Sequence, residues 1–152
     1  MARGTLHVVG VGPGDPDLMT LRAVKTLQGV PVVAYFCRHD TQGHARRIAQ
    51  AHIAATTQEI RLAYPFTTEI SVKYPTYRTG MQAFYDRCAG DLAAVLEEGR
   101  DVALLCEGDP FLYGSAMYLF DRLHTRFETQ VVPGISAMSG CWSQAARPMT
   151  HG

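Results

Sequence analysis

The chain lacks a charge surplus of either sign. Fourteen Lys and Arg stand against fourteen Asp and Glu, for a formal net charge of zero. Nucleic-acid binding usually leaves a basic excess, so no nucleic-acid partner is expected; small anionic ligands need only a local cluster and stay open. No apolar run approaches the ~20 residues of a membrane span, so no membrane partner is expected. The N-terminal stretch MARGTLHVVG enters a strand-like run without the long apolar core of a signal peptide, and a cytoplasmic protein is expected. Cysteine is scarce, and Cys37, Cys88, Cys106 and Cys141 form no C-x-x-C pair. Buried free thiols in a reducing compartment are the expectation. Cys37, His39 and His44 lie close in sequence, but no second ligand pair completes a zinc pattern, and no metal is expected. Internal repeats and low-complexity tracts are missing as well. What is present is 152 residues, 47% hydrophobic and 18% charged, enough for one domain with a sizeable core.

The apolar pattern alternates between strand and helix. Residues 5–11 form a β-branched apolar run ending at glycine, a buried strand. Asp15-Pro16-Asp17 carries helix-start chemistry, and Leu18, Leu21, Val24 and Leu27 then recur at helical spacing. PVVAYF (31–36) predicts a second strand. Residues 44–53 predict a short helix with Arg46 and Arg47 outward, and 58–62 a third strand. The stretch AYPFTTEISVKYPTY (63–77) is irregular, with Pro65 and Pro75 as breakers, and loops of that length are often lids. Tyr77, Met81, Phe84, Tyr85, Cys88, Leu92, Val95 and Leu96 predict a core-facing helix that stops at Gly99. DVALLC (101–106) is a fourth strand, 117–123 a helix, TQVVPG (129–134) a fifth strand, and 135–146 a helix rich in small residues. Such alternation predicts an α/β domain, a five-stranded parallel sheet with helices on both faces.

Ligands in such sheets sit beyond the carboxyl ends of the strands. Three glycine-containing loops are expected there: 10–15, 107–115 and 133–137. The first has the glycine density of a nucleotide loop without its spacing. Gly10, Gly12 and Gly14 give G-x-G-x-G, and Asp15 occupies the place of the fingerprint's third glycine. No lysine precedes Lys25, Asp15 and Asp17 put negative charge where a pyrophosphate would sit, and the second strand ends in Tyr35-Phe36-Cys37 with no carboxylate for a ribose. Neither a dinucleotide site nor a P-loop is expected. The glycines still imply that backbone comes close to something.

VGVGPGDPDLMTLRA (9–23), EGDPFLYGS (107–115) and VPGISAMSG (132–140) together resemble the tetrapyrrole methylases, in that family's order and spacing, and the resemblance covers the whole chain. Within the family, AYF (34–36), YPFTTE (64–69) and GCWSQAARPMTHG (140–152) are similar to the enzymes that methylate C20 of precorrin-2. The resemblance implies an S-adenosylmethionine-dependent C-methyltransferase of cobalamin biosynthesis, a tetrapyrrole as small-molecule partner, and a homodimer. It implies that the loops after strands four and five hold S-adenosylmethionine, through Glu107, Gly108, Asp109, Leu112, Ser136 and Ala137, with Pro13 at the same cleft. That ligand carries a positive sulfonium and no phosphate, so an acidic loop without lysine suits it. Gly12, Gly14 and Asp15 are assigned to the substrate side. Family members carry a second α/β domain after PMTHG; it is absent here, so residues 1–152 are expected to be an N-terminal domain. Alone it is expected to bind the cofactor weakly or not at all.

Plainer roles fit the same residues. Asp15 and Asp109 fit helix caps, Ser136 an N-cap, Pro13, Pro110 and Pro133 turn-shaping, and Tyr113 packing on a helix. Other readings also stay open: a cobalt-carrying substrate, a same-fold methylase with another substrate, and an inactive cofactor-binding fragment. One position departs from related uroporphyrinogen methylases, in which an Asp follows the Tyr at the end of strand two; here it is Phe36. Their later lysine has no counterpart in 61–67. No catalytic acid–base pair is therefore assigned, and the site is expected to work by alignment, which can supply ~7–11 kcal/mol. Arg38, His39, Arg46, Arg47 and Arg61 are candidates for the carboxylates of such a substrate, with a solvated face as the alternative.

Overall fold

The structure is a computed structural model that describes residues 2–151. Five strands, β1 (Leu6–Gly10), β2 (Val32–Cys37), β3 (Gln58–Ala63), β4 (Val102–Cys106) and β5 (Thr129–Val132), form one sheet in the order β3-β2-β4-β1-β5. Every neighbouring pair is parallel. Parallel neighbours need crossovers, and the chain supplies helices α1 (Leu21–Gly29), α2 (His44–Ala49), α3 (Pro75–Glu97), α4 (Ala116–Leu123) and α5 (Ala137–Gln144). The register sets up the site. Gly10 at the end of β1 lies opposite Cys106 at the end of β4, and Val9 lies opposite Val132 at the end of β5. The three glycine loops therefore leave the sheet side by side.

Side chains alternate across a strand, and here both faces are covered. Leu6, Val8, Val32, Ala34, Val102 and Leu104 pack with Phe84, Leu92 and Leu96 of α3 and Leu119 and Leu123 of α4. Val9, Val33, Tyr35, Ala103, Leu105 and Val132 pack with Ala23 and Leu27 of α1 and Ala45 and Ile48 of α2. Burial on both faces is why β2 and β4 read as unbroken apolar runs. Each fully buried leucine contributes about 1.5–3 kcal/mol.

Four sequence expectations need correction. The repeat from Leu18 to Leu27 is not one buried stripe. Pro16–Leu18 is a separate 3-10 turn, Thr20 caps α1 by accepting from the Ala23 N–H at 3.1 Å, and Leu21 is 79% exposed. The helix restarts at this cap, and Ala23 and Leu27 become its buried face. Pro75 does not break structure but opens α3, in the first turn where a missing N–H costs nothing. The short second helix is α-helical to Ala49 and continues as a 3-10 turn over Gln50–His52, close to the expected extent, but Arg46 on it is half-buried, not outward. Cys141 is exposed, whereas Cys37, Cys88 and Cys106 are buried. It lies on α5, which buries none of its residues and approaches the first loop closely: a Cβ on Gly140 would stand 2.8 Å from Pro13 Cγ. No helix among the described residues is long and apolar enough to cross a membrane.

Candidate functional site

The three glycine loops are knitted together through backbone. Gly12, at φ +84, donates its N–H to the Gly108 carbonyl at 3.3 Å, and the Gly108 N–H returns a bond to the Gly12 carbonyl at 2.7 Å. A Cβ on Gly10 would stand 2.6 Å from the Gly108 carbonyl oxygen and 2.8 Å from the Gly134 nitrogen, and one on Gly134 would collide with the same oxygen. The close approach encoded by Gly10 and Gly12 is therefore loop on loop, not loop on ligand. Asp109 adds a side-chain tie. Its Oδ1 accepts from the Phe111 N–H at 2.9 Å and its Oδ2 from the Gly134 N–H at 3.0 Å, joining the β4 loop to the β5 loop.

Above this knot lies a cleft of about 310 Å³. All seven residues assigned to the cofactor line it: Pro13, Glu107, Gly108, Asp109, Leu112, Ser136 and Ala137. Ser136 also caps α5, accepting from the Ser139 N–H at 3.3 Å. Two further residues, Tyr113 and Met138, complete the lining. Tyr113 does not pack on a helix. It is 96% exposed and held at φ +56, a conformation rare for a bulky side chain, where the chain turns into Gly114. A Cβ on Gly114 would stand 2.6 Å from Cys106 Sγ.

A second cavity, of about 240 Å³, adjoins the first and shares Glu107, Leu112 and Tyr113 with it. Its other walls include Phe36, Tyr64, Cys106 and Ser115. The Tyr64 hydroxyl donates to Ser115 Oγ at 2.7 Å, the Tyr85 hydroxyl donates to the same atom at 3.3 Å, and Phe36 stacks on Tyr64 with centroids 5.5 Å apart. Burial pushes both phenols above their ordinary range and the Cys106 thiol up to about 11, so none of them ionises near neutral pH. Sequence reasoning placed Tyr85 in the core and made no site residue of Tyr64 or Ser115. The pairing of Tyr64 with Ser115 spans 51 residues, which no local pattern reveals.

The substrate-side assignments scatter. Arg38 and His39 line a third cavity, of about 230 Å³, with Tyr64, Thr67 and Glu69. Arg61 instead holds the loop after β2, donating to the carbonyls of Arg38, His39 and Thr41 at 3.4, 3.1 and 2.8 Å. Arg46 grips Glu59 with two bonds, at 3.1 and 2.9 Å, and the Tyr35 hydroxyl donates to the same carboxylate at 2.8 Å. Hydrogen bonding from Arg46 holds the Glu59 carboxyl below its ordinary range, while burial and Glu59 push the Tyr35 phenol up to about 12. Arg47 is exposed on α2 and lines none of the three cavities. Gly12 is buried beneath Leu18 and Gly108, and Asp15 caps its own turn by accepting from the Asp17 N–H. Gly14 has open space where a side chain would be. Among the described residues, no group of three His, Cys, Asp or Glu side chains is placed to hold a metal.

Comparison with known proteins matches this arrangement to one family. The family profile of the tetrapyrrole (corrin/porphyrin) methylases matches residues 5–152. A precorrin-2 C(20)-methyltransferase from a Sinorhizobium species is 46% identical over 149 residues, covering 98% of this chain and 61% of the relative. The cobalamin biosynthesis protein CobIJ of Mycobacterium tuberculosis is 40% identical over 151 residues, covering 99% of this chain and 30% of the relative. The crystal structure of uroporphyrin-III-C-methyltransferase from Thermus thermophilus superposes with a TM-score of 0.69 at 27% identity, covering 98% of this chain and 55% of that one. The chain thus spans about three-fifths or less of the length of each of these relatives.

Proposed function

Because this chain belongs to the tetrapyrrole (corrin/porphyrin) methylases, we propose that it supplies the cofactor cleft and part of the substrate site of an S-adenosylmethionine-dependent methyltransferase acting at C20 of precorrin-2 in cobalamin biosynthesis. The observation that carries this is the convergence of the three glycine loops on one cleft lined by Pro13, Glu107, Gly108, Asp109, Leu112, Ser136 and Ala137. The 46% identity to a precorrin-2 C(20)-methyltransferase supports the substrate. A homodimer in the cytoplasm goes with this reading, on the habit of the family.

The cleft residues fit the cofactor. Pro13, Leu112, Ala137 and Met138 give apolar walls for an adenine and a methionine chain, and neither Lys nor Arg lines the cleft to repel a sulfonium. When bound, S-adenosylmethionine supplies an electrophilic methyl group on positive sulfur. The chain's own part is positioning. Asp109 fixes the β4 loop against the β5 loop, so that the two walls of the cleft keep their spacing. Leu112 and Tyr113 border both cavities, so a cofactor in the cleft and a tetrapyrrole edge in the aromatic cavity would stand on two sides of one thin partition. Tyr64 and Tyr85 both give their protons to Ser115 Oγ, which leaves the Ser115 hydroxyl proton to donate toward such an edge from the wall of the aromatic cavity. Arg38 lines the third cavity, which supports it as the arginine that would meet a substrate carboxylate. Phe36 stands where uroporphyrinogen methylases carry an acid, which fits a reaction at a different carbon.

The test is an anaerobic reaction of the full-length protein with precorrin-2 and S-adenosylmethionine labelled with 13C in its methyl group. Carbon-13 resonance should place the label on C20. Label at another carbon, or none transferred, contradicts the proposal.

A further inference from the structure

Methylation at C20 leaves a proton to be removed, and the carboxyl edge of the sheet offers few acceptors. Both Asp109 oxygens are held by backbone N–H groups. Asp40 faces Arg38, and the Thr67 N–H holds Glu69. Burial keeps the Tyr64 phenol and the Cys106 thiol protonated. Glu107 differs from all of these. It is exposed, its carboxylate makes no hydrogen bond or ion pair among the described residues, and it lines both the loop cleft and the aromatic cavity. Glu107 is thus a residue shared by the cleft proposed for the methyl donor and the cavity proposed for the macrocycle.

The geometry points to Glu107 as the acceptor of the C20 proton, an assignment that rests on the C20-methyltransferase reading above. The electron pair at C20 forms the bond to the methyl carbon, and the sulfur–methyl bond breaks with its pair left on sulfur. The C20–H bond then breaks with its pair returned to the macrocycle. The proton passes to a Glu107 carboxylate oxygen and from there to water. Before that proton leaves, the macrocycle carries the positive charge that sulfur has lost, and a carboxylate beside it stabilises that charge.

The test compares the full-length wild-type protein with Glu107→Gln and Glu107→Ala. The S-adenosylmethionine Kd of each variant should weaken by less than about tenfold by calorimetry, the loss of one carboxylate near the sulfonium. The single-turnover methyl-transfer rate should fall by about 100-fold or more. Glu107→Gln should show a primary isotope effect with substrate deuterated at C20, and added formate should restore part of the Glu107→Ala rate. A Glu107→Gln rate within about threefold of wild type overturns the assignment. So does a loss of cofactor affinity beyond about tenfold, which makes the carboxylate a cofactor ligand, or a rate loss with neither isotope effect nor formate recovery. If the wild-type protein itself transfers no methyl group to C20, the underlying reading fails and the assignment falls with it.

Discussion

Over β1, β4 and β5 the ligand edge of this sheet is made of backbone, whereas over β2 and β3 it is made of side chains. The first half is a knot of Gly10, Gly12, Gly108 and Gly134, with main-chain bonds between loops and one carboxylate tying them. The second half is Phe36 stacked on Tyr64, the Tyr64 hydroxyl reaching across to Ser115 of the loop after β4, and Arg61 clasping the loop after β2. A backbone knot tolerates no added atom and holds its shape whatever ligand comes. A side-chain wall can be rebuilt residue by residue. A cofactor shared by many enzymes suits the first kind of surface, and a substrate that differs between enzymes suits the second.

The largest effect should come from putting a methyl group into the knot. Gly10→Ala drives a Cβ to within 3 Å of two other loops at backbone atoms that cannot swing away. It should cost about 3 kcal/mol of stability by urea unfolding; a cost under about 1 kcal/mol would show that the loops are not locked. Asp109→Asn comes next. The amide keeps one acceptor oxygen for two N–H groups and loses the charge, so about 2 kcal/mol should be lost. S-adenosylmethionine affinity should fall with it, because the loops lose their spacing. On the side-chain half, Tyr64→Phe removes one hydroxyl bond to Ser115 and should cost about 1 kcal/mol. Here tetrapyrrole affinity should fall while cofactor affinity holds, and the reverse pattern would erase the distinction between the halves.

The smallest effect belongs to Glu59. Its folded-state pKa lies below the unfolded one because Arg46 donates to its carboxylate. The pair's contribution is therefore complete above the ordinary glutamate value of 4.5 and is lost as pH falls below it. Glu59→Gln should destabilise by about 0.5 kcal/mol near neutral pH, since a partly exposed pair contributes little, and the difference from wild type should shrink toward pH ~3. Unfolding midpoints at the two pH values check the sign. Tetrapyrrole binding should be unaffected, because neither Arg46 nor Glu59 lines the aromatic cavity or the third cavity.

The same division explains what could be read from the sequence. Backbone requirements are written locally. The glycines in 10–14, the run Gly108-Asp109-Pro110 and the pair Pro133-Gly134 announce turns and close approach, and the five strands announce a sheet buried on both faces. The convergence of the cofactor-side loops was legible for that reason. Their purpose was only half legible: glycine density says that something comes close, and it took the register of β1, β4 and β5 to show that the loops meet one another. The substrate side was hard to read because its parts come from distant elements. Ser115 is a small residue in a turn until Tyr64 and Tyr85 reach it, and Arg46 looks like a surface charge until Glu59 of β3 is beside it. Leu21 misled for a more local reason, since a threonine cap reset the helix face.

The claim that the backbone-built cleft holds S-adenosylmethionine is tested most directly by calorimetry on the full-length protein, wild type against Ala137→Trp. Ala137 is exposed at the first turn of α5 and lines the cleft, so tryptophan there fills the space without entering the core. The account predicts stoichiometric binding to wild type and a Kd at least about tenfold weaker in the variant, a loss of about 1.4 kcal/mol, with an unchanged unfolding midpoint. No heat of binding in the wild type, or equal affinity in the two proteins, would contradict it.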